Sequence, residues 1–266
     1  MKGQVGPVNP EVSVLWRFLI ATSLCFIISN YQKLPLIFPL KIHLKMALMG
    51  FFMFSTNFTL FYYASVNVAS GLLAVVWSMT SVVNIFMIAI ITQSKPNYLQ
   101  LLASVIGLSG IFLIFIPELK ISGLALESLL LCILGTISFC AGNLVSRSLQ
   151  NQNIPVMSAN SWGMFYGCLV LIIYALLLNH PFKISLETSY LLGLVWLSVF
   201  STVLTFTCYL VLLGRIGAGR VGYATVVFPV FALLISTVFE NYVWTPLAFI
   251  GVGLVLLGNI VMAKAN

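Results

Sequence analysis

From Ala69 to Ile91 the chain runs for 23 residues without a charged side chain. A helix over such a run spans the roughly 30 Å hydrocarbon core of a bilayer. Similar apolar runs recur along the chain and give nine expected spans: 12–30, 46–64, 69–91, 98–117, 123–146, 156–178, 189–213, 218–239 and 244–263. The 266 residues are 61% hydrophobic and only 6% charged, against about 25% charged in a soluble domain. Too few charges remain to wet the surface of a globule. The expected fold is an all-α polytopic membrane protein with nine transmembrane helices in a lipid bilayer.

The net charge of +7 comes from twelve basic residues scattered among connections rather than gathered in a stripe, so nucleic acid is not an expected partner. The five cysteines, Cys25, Cys132, Cys140, Cys168 and Cys208, lie in apolar stretches and form no CxxC pair. They read as small buried hydrophobes rather than disulfides or metal ligands. His43 and His180 fall in polar connections, and no HExxH, GxSxG or P-loop pattern occurs. No enzyme chemistry, catalytic residue, metal or cofactor is expected.

Basic residues orient the chain. With the N-terminus outside, Lys33, Lys41, Lys45, Lys95, Arg147, Arg215, Arg220 and Lys264 fall on the cytoplasmic side, and Lys2, Lys120 and Lys183 outside. The C-terminus is then cytoplasmic. Glu11, Glu118, Glu127, Glu187 and Glu240 all lie at or near the outer side. Met1–Glu11 is polar and has no apolar core of a signal peptide. An N-out start of that kind requires either that Met1–Glu11 is translocated, which the basic inner flank of the first span favours, or that an upstream helix is missing.

Polar groups inside the apolar runs suggest where a solute passes. In SGLLAVVWSMTSVVN, projected as one helix, Ser70, Ala74, Trp77, Thr80, Ser81 and Asn84 share an arc of about 120°. Ser and Thr on such a face often bond neighbouring helices, but Trp77, Ser81 and Asn84 together suit a cavity lining. Weaker faces contain Tyr62, Asn143, Trp162 and Tyr209. Together they describe an aromatic, uncharged, hydrogen-bonding pathway for a small organic solute. Arg17 is the one charge well inside a span, a position that marks either function or a side chain reaching to the outer interface. Pro229 frees a backbone carbonyl and is either a hinge or a static kink. Glu240 reads as a cap or a gate near the outer mouth. No carboxylate lies in mid-span, which disfavours coupling through a buried acid.

Residues 57–110 lie on 205–258 without a gap at an offset of 148, with helix lengths, breaks and small residues coinciding. The copies would run in opposite directions, as two inverted-topology repeats: four helices in 1–120 and five in 121–266. Four stretches, NPEVSVLWRFLIA, NVASGLLAVVWSMTSVVNIF, SFCAGNLVSR and GRVGYATVVFPVFALLISTVFENYVWTPLAFIGVGLVLLGN, carry a resemblance across essentially the whole chain. In their order and spacing the chain resembles the drug/metabolite transporter superfamily, EamA-type branch. The resemblance implies a bacterial inner (plasma) membrane transporter exporting small metabolites such as amino acids by alternating access, with Arg17 part of a family motif that has a structural or gating role. It also implies ten helices, the first of them absent here. An acid expected after the fourth family helix is replaced by Thr92. A channel or facilitator is the alternative, against which Trp77, Trp162, Tyr62 and Tyr209 argue as occluding aromatics.

Overall fold

A computed structural model describes the backbone of Gln4 and of residues 6–121, 124–226 and 228–264, and the side chains there except at 81, 118–121, 217–226 and 263. The described residues form helices and no strand. In order these are α1 (Pro10–Tyr31), then α2 (Leu40–Met49) passing through a π-helical turn (Gly50–Thr56) into α3 (Asn57–Asn67). Next come α4 (Ser70–Trp77), α5 (Thr80–Thr92), α6 (Tyr98–Ile121), α7 (Ala125–Gln150) and α8 (Val156–Leu177). Then α9 (Thr188–Trp196) passes through a second π-helical turn (Leu197–Leu204) into α10 (Thr205–Val226), followed by α11 (Phe228–Phe239) and α12 (Pro246–Lys264). Among the described residues, seven helical rods are long and apolar enough to cross a membrane, and two shorter apolar helices, Phe228–Phe239 and Pro246–Met262, join them. The chain is an all-helical polytopic membrane protein.

Three boundaries depart from the expected spans. The run 69–91 is two helices, α4 and α5. The Met79 N–H bonds back to the Val76 carbonyl at 3.1 Å, while the Ser78 hydroxyl takes the Val75 carbonyl at 2.7 Å and the Thr80 hydroxyl takes that of Trp77. Hydroxyls at this spacing offer backbone carbonyls a local alternative to the helix ladder. The single-helix projection therefore fails across Ser78 and Met79. Second, no break occurs at 214–217, because α10 continues to Val226. Glycines there weaken a helix by about 1 kcal/mol each, less than unpaired backbone costs in hydrocarbon. Third, α6 continues through Pro117 to Ile121, losing a single ladder bond.

Helix boundaries recur along the chain. Pro10–Tyr31 is matched 146 residues on by Val156–Leu177. At an offset of 148, the starts of α2 and α6 at residues 40 and 98 meet the starts of α9 and α12 at 188 and 246. Both π-helical turns also coincide, ending at 56 and 204. Helix-ending residues with left-handed backbone recur likewise: Lys33 (φ 53°) with Asn179 (φ 54°), and Gln93 (φ 52°) with Asn241 (φ 55°). A left-handed residue after the last turn lets the next N–H close on a terminal carbonyl, as Leu34 does on Ser29 and His180 on Ala175, both at 2.9 Å.

Two compact units form, and each draws on both halves of the chain. The first contains residues 1–62 and 141–215. In it α1 packs on α8, and the two π-helical turns pack on α8 and α1 respectively. Gly50 meets the backbone of Gly163 and Gly167, so a methyl group there would overlap both. The second unit contains 63–140 and 216–266, with α6 packed on α12 and α4 on α11. Here a Cβ on Gly251 would lie 2.6 Å from the Gly110 carbonyl oxygen, and one on Gly258 2.7 Å from the Gly107 nitrogen. Such small-residue crossings let helices pack without a hydrophobic driving force between them.

Gly251→Leu should lower the melting midpoint of the detergent-purified chain by several degrees, an overpacking cost of about 1–3 kcal/mol or more. Gly253, where an added Cβ would have no neighbour within 4 Å, is the control: Gly253→Ala should melt like wild type.

Candidate functional site

The polar stretch that ends α4 and opens α5 is largely occupied with holding the break together. Besides bonding Val75, the Ser78 hydroxyl accepts from Asn259 Nδ2 on α12 at 3.2 Å. The Cys140 thiol reaches the Thr80 carbonyl at 3.6 Å. Trp77 is half-buried, its ring 5.5 Å from that of Phe139 and 5.7 Å from that of Phe228. Ser81 has its side chain outside the described set. Asn84 differs: it is buried, one turn beyond Thr80, and its Oδ1 has no hydrogen-bond partner.

Pro229 and Glu240 belong to the same unit. Pro229 lies on α11 and is buried. Glu240 bonds the start of α4. Its Oε2 accepts from the Ser70 N–H at 2.7 Å, and its Oε1 from the Ser70 hydroxyl at 2.5 Å. The Ser236 hydroxyl lies between, accepting the Gly71 N–H at 2.8 Å and donating to Glu240 at 3.1 Å. A carboxylate from one helix thus caps the open N-terminus of another and complements its positive end.

The other unit gathers buried amides. Asn143 on α7 donates through Nδ2 to the Tyr209 hydroxyl on α10 at 3.1 Å. Asn160 on α8 approaches Thr207 Oγ1 through Nδ2 at 3.5 Å. Two helices therefore direct amides at one turn of a third. Asn57 Nδ2 bonds the Met53 carbonyl at 3.3 Å, and Met53 in turn packs against Gly142, the neighbour of Asn143. All three asparagines are at most 4% exposed, and the Oδ1 of each is without a partner; so are the hydroxyls of Thr59 and Ser158. A buried polar atom left unpaired costs about 1–3 kcal/mol. Exchanging O and N in the Asn143 or Asn160 amide would move the deficit to the other end without removing it.

Tyr62 is fully buried in this unit. Trp162 is anchored: its indole N–H donates to the Leu36 carbonyl at 2.9 Å, and its ring meets Phe26, His43 and Tyr166. It ties the α1–α2 connection to α8. Arg17 is 3% exposed and does not reach outward; it donates through Nε to Thr202 Oγ1 at 2.7 Å and through Nη2 to Ser201 Oγ at 3.2 Å. Asn57, Asn160 and Thr207 were not among the residues singled out in sequence. Asn57 and Asn160 share the signal that marked Asn84, an amide inside an uncharged span, but the approach of Asn160 to Thr207 leaves no local trace.

The profile of the EamA-like transporter family matches residues 1–116 and 126–264. The chain belongs to that family. It is similar to an uncharacterized transporter in the trpA 3'region of Buchnera aphidicola subsp. Schlechtendalia chinensis, at 23% identity over 86% of this chain and 74% of the relative. An uncharacterized transporter of Buchnera aphidicola subsp. Schizaphis graminum is 25% identical over 92% and 80%. Protein PagO of Salmonella typhimurium is 20% identical over 92% and 79%. A solved crystal structure matches with a TM-score of 0.70 at 14% identity, covering 98% of this chain and 89% of its own, which shows a shared fold. The chain is thus a membrane transporter by family rather than an enzyme.

Glu240→Gln keeps the shape of the cap and removes its charge. It should lower the melting midpoint by an amount equivalent to about 1–2 kcal/mol, and Glu240→Ala by more. A thermal-melting series in detergent checks both.

Proposed function

We propose that the chain is a carrier exporting small organic metabolites, amino acids or related compounds, across a bacterial inner membrane by alternating access. The observation that carries this reading is the set of buried amide oxygens on Asn57, Asn143 and Asn160 without partners. Apolar surroundings give them no compensation, whereas a polar solute passing through supplies it. Asn84, Trp77 and Ser81 in one unit, and Tyr62, Trp162 and Tyr209 in the other, are proposed as solute-contacting residues, with Pro229 and Glu240 in gating or structural roles.

The repeats are proposed to be inverted, 1–120 and 121–266, with the N-terminus outside and the C-terminus cytoplasmic. The coincident helix starts and π-helical turns support the duplication, and the basic residues support the orientation. A discontinuous helix also occurs in the first repeat, where α4 ends at Trp77 and α5 begins at Thr80. In inverted-repeat carriers such breaks place helix ends and free backbone groups beside the substrate.

Counterflow in proteoliposomes tests the mechanism: a carrier exchanges faster when solute is present on the far side, and equal rates with and without it would instead indicate a channel. Asn160→Leu should reduce counterflow about tenfold or more while the melting midpoint stays at or above wild type. A parallel loss of folding would reassign the amide to helix packing. A reporter fused after Asn266 should read cytoplasmic and one near Glu187 external; the reverse pattern would overturn the orientation.

A further inference from the structure

Arg17 lies seven residues beyond the start of α1, about 10 Å along the helix, and is 3% exposed. Its guanidinium is held from three sides. Thr202 donates its own hydroxyl proton to the Leu197 carbonyl at 2.9 Å and so turns a lone pair towards Arg17 Nε, at 2.7 Å. Ser201 accepts from Nη2 at 3.2 Å, and the Phe58 ring centroid lies 4.7 Å from the guanidinium carbon. These contacts fix the plane of the fork but supply no negative charge. Two N–H bonds are used out of the five that a guanidinium offers. Among the described residues no carboxylate pairs with it: Glu11 pairs with His180, and Glu240 caps α4.

A buried guanidinium without a counter-charge is expensive in hydrocarbon, so packing alone is a poor reason to keep it. The duplicated half of the chain supplies the comparison. At the offset of 146 that relates α1 to α8, the position of Arg17 is occupied by Gly163, and at the offset of 148, Ser201 and Thr202 are matched by Met53 and Phe54. There the same crossing of a helix on a π-helical turn is made with Gly163 against Phe54, and no charge is involved. An apolar solution to the packing problem therefore exists within the chain itself. The arginine, with its two hydroxyl supports, answers a different need.

We propose that Arg17 is the specificity-determining anchor for the carboxylate of the transported solute. A carboxylate accepts two parallel N–H bonds from a guanidinium fork, and its single negative charge neutralises the one buried positive charge. This inference rests on the carrier reading of the preceding section. It adds that the solute bears a carboxylate and that Arg17 selects it.

The test is thermal melting of the full chain in detergent at constant ionic strength. The probes are glycine, phenylalanine and benzoate, each paired with its amide: glycinamide, phenylalaninamide and benzamide. At least one carboxylate should raise the wild-type midpoint while its amide does not. Arg17→Gln should raise the half-saturating concentration of that carboxylate roughly 10- to 100-fold, and Arg17→Lys by less. Without ligand, Arg17→Gln should melt at or above wild type, because an uncompensated charge has been removed.

Thr202→Val, which leaves the charge and removes its support, should weaken carboxylate binding in the same direction. The inference is overturned if no carboxylate is distinguished from its amide. It is also overturned if Arg17→Gln binds carboxylates as wild type does. A ligand-free Arg17→Gln variant that melts lower or fails to fold would make Arg17 a structural strut and overturn it as well. Carboxylate shifts through Arg17 without counterflow would sink the carrier reading alone, and counterflow without carboxylate preference would sink this inference alone.

Discussion

Hydrocarbon offers no hydrogen bonds, so each backbone group freed where a helix breaks must find its partner within the protein. Much of the polar chemistry in this chain answers that requirement. Between α4 and α5 the carbonyls of Val75 and Trp77 are taken by hydroxyls from Ser78 and Thr80, and the Thr80 carbonyl by the Cys140 thiol. At the other end of α4, Glu240 and Ser236 receive the N–H groups of Ser70 and Gly71. Groups that resemble a pathway lining in sequence are thus partly backbone surrogates. What distinguishes the remaining amides is that their oxygens stay unpaired after these needs are met.

The two proposed repeats solve equivalent problems differently, and the differences follow from local backbone. Glu240 has Thr92 as its counterpart 148 residues earlier. Glu240 is required because the chain leaves the helical path at Val68 and Ala69 and exposes the start of α4. In the other copy the matching position, 218, lies inside α10, where the N–H groups are already bonded within the helix. No open N-terminus exists there, and Thr92 instead bonds its own helix at the Ile88 carbonyl, 2.8 Å away. The replaced acid that looked like a departure from the family pattern is a consequence of an unbroken helix.

The class of fold was legible in the sequence because the apolar runs leave it no soluble solution. The offset of 148 was legible too, and the coincident starts at 40 and 188 and at 98 and 246 give it structural content. The break at Ser78 was not, since periodicity assumes a continuous helix and hydroxyl-to-carbonyl bonds leave no mark on hydrophobicity. Nor was the continuity of α10 through Gly214 and Gly217, where a rule learned in water overstates what glycine does in lipid. At the site, Asn143 and Tyr209 were readable as polar residues within spans, and they do pair. Asn160 and Thr207 were missed because the partnership forms between α8 and α10, 47 residues apart, beyond any local pattern.

The packing units do not coincide with the halves 1–120 and 121–266, and the reason is visible where α6 crosses α12. Gly110 meets Gly251, which is the counterpart of Ala103 at the offset of 148; Gly258, the counterpart of Gly110, meets Ala103. Each residue thus finds the other copy's version of its partner. That reciprocity is the mark of an isologous contact about a local two-fold axis. Equivalent helices placed face to face bury each other's small residues, so each copy completes its packing against the other rather than within itself. α1 and α8 also share boundaries, at an offset of 146, and pack together in the other unit. Dividing such a chain between its proposed repeats would part α6 from α12 and α1 from α8.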